Sequence, residues 1–264
     1  MILLELFSQT LYNHSLELFL VKSRLNYSQV CVVIPAMNES ASIGAIVTSV
    51  IKLGCKVIVV DDASSDETKN EAQKSGALVL THIVNLGAWK ATQTGLRYAY
   101  KLGFDIVITM DADGQHSAEN ISFLIEKYKH GADVVIGNCT QRGSTGRHIA
   151  WRFFKSINRL NVSDITSGFR LYNKNALHCL VSKQATMLEY QCIGVLLMMR
   201  DLQLNIVETP VPMEERKAGI SRIFHSWLAV GYYLLYSGLL SLAKAFPTHK
   251  ERYKTRITRL HDFD

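Results

Sequence analysis

The stretch Asp105-Ile106-Val107-Ile108-Thr109-Met110-Asp111-Ala112-Asp113-Gly114-Gln115-His116 holds an apolar run and, directly after it, two carboxylates one residue apart. A short apolar run bounded by Asp and Gly suits a parallel strand covered on both faces. Runs of the same kind occupy 30–34, 56–60, 77–80 and 133–137, so with 105–110 the spacing predicts five strands. Helical periodicity predicts helices over 42–53, 66–75, 88–102 and 118–129 between them, and further along a helix over 186–202 followed by a short strand over 205–209. Such alternation specifies an α/β fold, a doubly wound, mostly parallel, Rossmann-like sheet with helices on both faces. Ligands of such sheets bind at the carboxyl ends of the strands, so the residues just after each run carry the functional information.

Those residues are polar. The first strand runs into Pro35-Ala36-Met37-Asn38-Glu39 and the second into Asp61-Asp62-Ala63-Ser64-Ser65-Asp66. Carboxylates at adjacent strand ends can bond a base edge and ribose hydroxyls. Asp66, just before a predicted helix, reads better as a helix cap. Asp111 and Asp113 can converge on one hard cation, Mg²⁺ or Mn²⁺, which takes oxygen ligands and shares them with phosphates. His116 suits a structural role better than ligation of such an ion.

At 264 residues the chain fits one α/β domain with appendages, and its 48% apolar and 20% charged residues are ordinary for a globular protein. Much of the net charge of +6 lies at 244–259, where six Lys/Arg accompany one acid, Glu251. This run lacks the aromatic–basic surface pattern of a nucleic-acid binder, and an anionic membrane surface is the expected partner. Five separated cysteines without a CxxC pair read as reduced core residues. Residues 1–29 read as an amphipathic helical extension without signal-peptide features. Residues 223–243 hold no Lys, Arg, Asp or Glu. At ~1.5 Å per residue a helix there is close to bilayer length, but a span would carry the basic run away from the catalytic side. An interfacial or re-entrant helix is therefore expected, with a single span or a buried helix as alternatives; Ser226, Tyr233, Ser237 and Ser241 give it one softer face.

The ordered series Val33-Ile34-Pro35 with Asn38-Glu39, Val60-Asp61-Asp62 with Ser65-Asp66-Glu67-Thr68, then Asn85, Gly87, Ala91, Gly95, then Asp111-Ala112-Asp113-Gly114-Gln115-His116 resembles the family 2 glycosyltransferases. Within them it is most similar to the dolichol-phosphate mannosyltransferase-like, or polyprenyl-phosphate glycosyltransferase, branch. The resemblance covers roughly 30–222 and implies a GT-A fold, a GDP- or UDP-linked sugar donor and inversion at the anomeric carbon. By it, Pro35, Asn38, Glu39, Asp61 and Asp62, with Asp111, line the nucleotide-sugar pocket, while Asp111, Asp113 and Gln115 hold the metal. Asp164-Ile165-Thr166-Ser167-Gly168-Phe169-Arg170 resembles the family's D-x-x-S-G-F-R segment, and Glu208-Thr209-Pro210 leading to Arg216 its later segment. It implies that Arg142, Arg152 with Ser156, and Arg216 bind an acceptor phosphate, although each arginine could instead serve a surface ion pair.

One loop departs from the family pattern: the usual N-x-G-K-G-x-A reads Asn85-Leu86-Gly87-Ala88-Trp89-Lys90-Ala91, which leaves the donor sugar open. A phosphate acceptor is already ionised, whereas a saccharide hydroxyl needs a general base. Asp164 is the candidate base or acceptor-orienting residue, and capping of its own turn is the alternative. The expectation is metal-dependent transfer to a polyprenyl phosphate at the cytoplasmic membrane face, with 223–264 as the membrane-associating helix and tail. Transfer to a glycan acceptor and a non-catalytic membrane adaptor are the alternatives.

Overall fold

The computed structural model describes residues 25–139, 152, 154, 156–214 and 227–245. The first half comprises β1 (Val30–Ala36), α1 (Ser40–Lys52), β2 (Lys56–Asp61), α2 (Thr68–Lys74), β3 (Leu78–Thr81), α3 (Ala88–Lys101), β4 (Ile106–Thr109), α4 (Ile121–Lys129) and β5 (Val134–Asn138). The second half adds β6 (Arg170–Tyr172), α5 (Lys174–Val181), the one-turn α6 (Lys183–Thr186), α7 (Ile193–Asp201), β7 (Ile206–Pro210) and α8 (Trp227–Ala245).

Seven strands form one sheet in the order β3-β2-β1-β4-β6-β5-β7. Successive strand side chains alternate between its faces. Cys31 and Val33 join Ile58, Val107, Leu96 and Trp89 in one core, while Val32 and Ile34 join Val59, Ile108, Ile43 and Leu124 in the other. The chain moves outward from β1 to β2 and β3, then returns to pair β4 with the opposite side of β1. That reversal opens a crevice at the carboxyl ends of β1 and β4. β6 runs antiparallel between β4 and β5, and β7 is parallel to β5, so the sheet is mixed but mostly parallel.

The five expected strands, and the short strand expected over 205–209 (β7), are present with shifted ends. β6 lies outside the apolar runs: its three residues, opening on an arginine, carry little strand signal. The expected helix over 118–129 begins as a 3₁₀ turn, Ala118–Asn120, before α4. The helix expected over 186–202 is corrected, because only α7 lies inside it and α6 ends at Thr186. Long-range bonds explain the interruption. Lys90 Nζ of α3 donates to the Thr186 and Leu188 carbonyls, and the Glu189 N–H donates to the Tyr236 hydroxyl of α8. A backbone N–H given to a distant hydroxyl, as at Glu189, cannot also close a helical turn.

Of the expected N-terminal helix, residues 1–24 lie outside the described residues, and Tyr27–Gln29 form a 3₁₀ turn capped by Asn26. Among the described residues no helix is long and apolar enough to cross a membrane. All five cysteines are free and four are buried. Burial, with Cys55 nearby, pushes the Cys31 thiol up to about 12, and burial takes Cys55 to about 11.

Candidate active site

Three carboxyl-edge segments build the site: the ends of β1 and β2, the loop after β3, and the loop after β4 with the segment before β6. At the first, Asn38 adopts a left-handed backbone (φ 50°). Its N–H donates to Ser64 Oγ (2.9 Å), and its side-chain oxygen accepts from the Ser65 N–H (2.7 Å). Asn38 thus ties the end of β1 to the loop after β2. Glu39 is joined to the same loop through its backbone, which donates to Thr68 Oγ1 (2.7 Å). Asp66 accepts from the backbone N–H groups of Thr68 (3.0 Å) and Ser40 (3.2 Å), so it caps the starts of α2 and α1 together, as its position suggested. Burial raises its pKa, but the hydrogen bonds from Thr68 and Ser40 outweigh that and hold it at about 2.

Asp61 and Asp62 are both buried at the end of β2, yet their carboxylates differ. Asp62 Oδ1 accepts from the Leu86 N–H (2.9 Å) and meets His82 Nδ1 (2.7 Å), while Oδ2 accepts from the Gly87 N–H (2.8 Å). Both oxygens are committed to the loop after β3. His82, whose Nε2 meets Thr94 Oγ1 (3.0 Å), completes that clasp. Asp61 makes one long bond, from the Ser64 N–H (3.3 Å). Asp62 is the carboxylate that fixes the loop, while the Asp61 carboxylate carries only that bond among the described residues. His82 was not singled out in the sequence; its signal is a titratable residue just past a strand end, opposite an acidic pair.

The loop's departure from the family pattern now has a physical account. Trp89 is buried and donates from Nε1 to the Ala185 carbonyl (3.0 Å). Lys90 is spent on the carbonyls around the end of α6. Gly87, at φ 88°, occupies the N-cap of α3, a left-handed position that suits glycine.

Asp111 and Asp113 follow β4 at the topological switch. A Cβ built on Gly168 would lie 2.5 Å from Asp111 Oδ1 and 2.7 Å from Oδ2. A side chain there would have to displace the Asp111 carboxylate, because the segment before β6 lies directly on it. Asp113 Oδ1 accepts from the Gln115 N–H (3.1 Å). Gln115 is buried, and Nε2 reaches the Glu214 carbonyl (3.5 Å). The buried His116 ring stacks on Phe169, with centroids 4.8 Å apart, in keeping with a structural role. Among the described residues no three His, Cys, Asp or Glu side chains gather as a metal cage. Two half-buried carboxylates at the switch point are a donor set that fits Mg²⁺ or Mn²⁺ sharing its remaining positions with phosphate oxygens.

The 163–168 segment is tightly held. Asp164 Oδ1 accepts from the Thr166 N–H (2.9 Å), Thr166 Oγ1 (3.0 Å) and the Ser167 N–H (3.0 Å), so this oxygen caps its own turn. Glu208 accepts from the Ser163 and Asp164 N–H groups (2.7 and 2.8 Å). Fully buried Arg170 donates to the carbonyls of Ile165 (2.9 Å), Ser167 (2.8 Å) and Gln191 (3.3 Å). Thr109 of β4 donates to the Gly168 carbonyl (2.7 Å). Neither Glu208 nor Arg170 received this role from the sequence.

Pro35 is half-buried in β1. Arg152 and Ser156 are helical and exposed, one turn apart. Arg142 and Arg216 lie outside the described residues.

Residues 31–181 match the family described as Glycosyl transferase family 2. The chain is 30% identical over 216 residues to the undecaprenyl-phosphate mannosyltransferase of Micrococcus luteus, covering 74% of this chain and 87% of that one. It is 28% identical over 212 residues to the polyprenol monophosphomannose synthase of Mycolicibacterium smegmatis, covering 73% and 80%. An uncharacterized Methanocaldococcus jannaschii protein is 37% identical over 118 residues, and there the match spans 44% of this chain and about half (49%) of the relative. The solved glucosyl-3-phosphoglycerate synthase of Mycobacterium tuberculosis, with Mn²⁺, UDP-glucose and phosphoglyceric acid, shares the fold at a TM-score of 0.66 and 20% identity, over 88% of this chain and 84% of that one. The GT-A-like architecture and the ordered strand-end motifs thus agree with the matches: the chain belongs to glycosyl transferase family 2 and is a glycosyltransferase.

Proposed function

We propose that this glycosyltransferase moves a sugar from a GDP- or UDP-linked donor to a polyprenyl phosphate, with inversion, at the cytoplasmic face of a membrane. The observation that carries the reading is the Asp111 carboxylate seated on Gly168, beside Asp113, at the switch point of the sheet. The names of the Micrococcus and Mycolicibacterium relatives support a polyprenyl-phosphate acceptor. The Mn²⁺ of the Mycobacterium structure, and the Mg²⁺ of another of the same enzyme, support a divalent ion.

In this reading Asp61, with Pro35, Asn38 and Glu39 around it, receives the nucleoside. Asp62 and His82 hold the loop that walls it. Asp111 and Asp113, assisted by Gln115, hold Mg²⁺ or Mn²⁺, which when bound neutralises charge on the departing diphosphate. An acceptor phosphate oxygen forms a bond to the anomeric carbon as the bond to the diphosphate breaks. The electron pair leaves with the nucleoside diphosphate. Arg152 with Ser156, and Arg142 and Arg216 from the flanking segments, orient the acceptor phosphate. An ionised phosphate needs no general base, which agrees with Asp164 Oδ1 being engaged in its own turn.

The test is transfer by purified protein from GDP- and UDP-sugars to detergent-dispersed polyprenyl phosphate, read by mass spectrometry. The expected product releases its sugar in mild acid, and Asp111→Asn or excess EDTA lowers turnover by about 10²–10³-fold. Acid-stable sugar on a glycan hydroxyl would replace the acceptor assignment, and full turnover in EDTA would remove the metal.

A further inference from the structure

The outer surface of the molecule carries apolar side chains in two places where the backbone is firmly held. In the loop after β3, Ile83 is 98% exposed and Val84 is also exposed, although Asp62 and His82 clamp that loop from within. On α8 the arrangement is inverted relative to an ordinary surface helix. Ser237 and Ser241 are 2% and 1% exposed and face the domain, where Ser241 Oγ accepts from Asn158 Nδ2 (2.8 Å). Leu235, Leu239 and Leu242, each about 60% exposed, face outward. At ~100° per residue these leucines share one stripe, on the side opposite the two serines. Hydroxyls inward and leucines outward is the pattern of a helix whose outer medium is apolar.

The two places are joined through one connected framework. The β3 loop leads into α3, whose Lys90 binds the carbonyls on either side of Met187, itself 84% exposed. Two residues on, Glu189 is bonded through its backbone to Tyr236 and through its carboxylate to Tyr232 (2.8 Å), both of α8. Immediately after α8 the sequence holds its basic run, with Lys250, Arg252, Lys254, Arg256 and Arg259 against Glu251.

From these features we infer that Ile83, Val84, Met187 and the Leu235/Leu239/Leu242 stripe form one membrane-contact surface. It inserts at the headgroup–acyl boundary of an anionic bilayer, with the basic run supplying charge complementarity. α8 lies in the interface, its serines toward the domain. The loop that contacts lipid is the loop whose backbone closes on Asp62, so membrane contact and the nucleotide pocket share one segment. The inference rests on the membrane-acceptor reading for its purpose, but lipid binding is measured without any acceptor.

The test uses the full chain and flotation with vesicles of phosphatidylcholine alone or with about 30% phosphatidylglycerol. The expected result is binding to the anionic vesicles, weakened by salt. Ile83→Ser with Val84→Ser, and separately Leu235→Ser with Leu239→Ser, should each lower the bound fraction at least ~10-fold, because apolar insertion is lost. These side chains are exposed, so unchanged thermal unfolding should accompany the loss, and for the Leu235/Leu239 variant, which lies outside the segments that build the pocket, transfer to detergent-dispersed acceptor should stay at the wild-type level. Unchanged flotation of either folded variant overturns the surface. So does a dimer, seen by sedimentation without lipid, that the leucine substitutions dissociate, since a second copy would then cover the stripe. Flotation that depends on these residues without any lipid-linked product would keep the surface and reject the acceptor.

Discussion

The loop after β3 and the segment before β6 both shape the carboxyl edge of the sheet, but different charges hold them. Loop 82–87 is gathered by Asp62, which accepts two backbone N–H groups and meets a histidine. Segment 163–168 uses Asp164 and Glu208 for its N–H groups and adds a buried cation, Arg170, for its carbonyls. Toward Asp62, loop 82–87 offers its backbone N–H groups, while the Gly87 carbonyl accepts from the Ala91 N–H of α3. A loop held from both sides is fixed in both polarities, as a segment pressed onto the Asp111 carboxylate must be. Its cost is a fully buried guanidinium whose removal strands several acceptors at once.

The largest expected effect follows from that difference. Arg170→Met keeps much of the bulk and removes every donor, leaving the Ile165, Ser167 and Gln191 carbonyls without it. Unfolding in denaturant should show a loss of about 3–5 kcal/mol, in the range for breaking a buried charged network. Turnover should fall further than stability accounts for, because Gly168 would no longer be held over Asp111. A variant as stable as wild type would mean that water replaces the guanidinium and that the two loops are alike.

Asp62→Asn is expected to be milder. The amide keeps the shape and one acceptor oxygen but loses the charge and one of the two accepting sites, at about 1–3 kcal/mol. Its mark should be kinetic: a raised KM for the nucleotide-sugar with a smaller change in kcat, because the loop walls the donor pocket. If kcat fell while KM stayed the same, Asp62 would belong to the reacting centre and the comparison would dissolve.

The same contrast explains what could be read from the sequence. Strands β1, β2, β4 and β5 are near-continuous apolar runs because both faces of the sheet are covered, and Asp61, Asp62, Asp111 and Asp113 follow directly at their ends. The division of labour between Asp61 and Asp62 was not legible, since it depends on N–H groups more than 20 residues away at Leu86 and Gly87. Arg170 and Glu208 were hidden for the same reason, and a buried arginine opening a three-residue strand imitates a loop. The break between α6 and α7 depends on Lys90 and Tyr236, 98 and 47 residues from the groups they bind. On α8 the softer face was visible at Ser237 and Ser241, but its direction is set by Asn158, across 83 residues.

Asp66 offers the smallest and sharpest test, because it repeats the donor-collecting design at the surface. It caps α1 and α2 through Ser40 and Thr68 while largely exposed. Burial raises its pKa, but the bonds from Thr68 and Ser40 outweigh that and hold it at about 2, below the ordinary carboxylate value of about 3.9. A lowered folded pKa means that the ionised form stabilises the fold. Its contribution is complete above pH ~4 and is lost as pH falls towards 2. Solvent screening at an exposed site limits it to about 1 kcal/mol. Asp66→Asn should therefore unfold at lower urea than wild type at pH 7, and the gap should narrow as pH drops from 4 to 2. A gap that stayed constant across that window would mean that the cap works through hydrogen-bond shape alone. Charge would then matter only where the carboxylate is buried, as at Asp62.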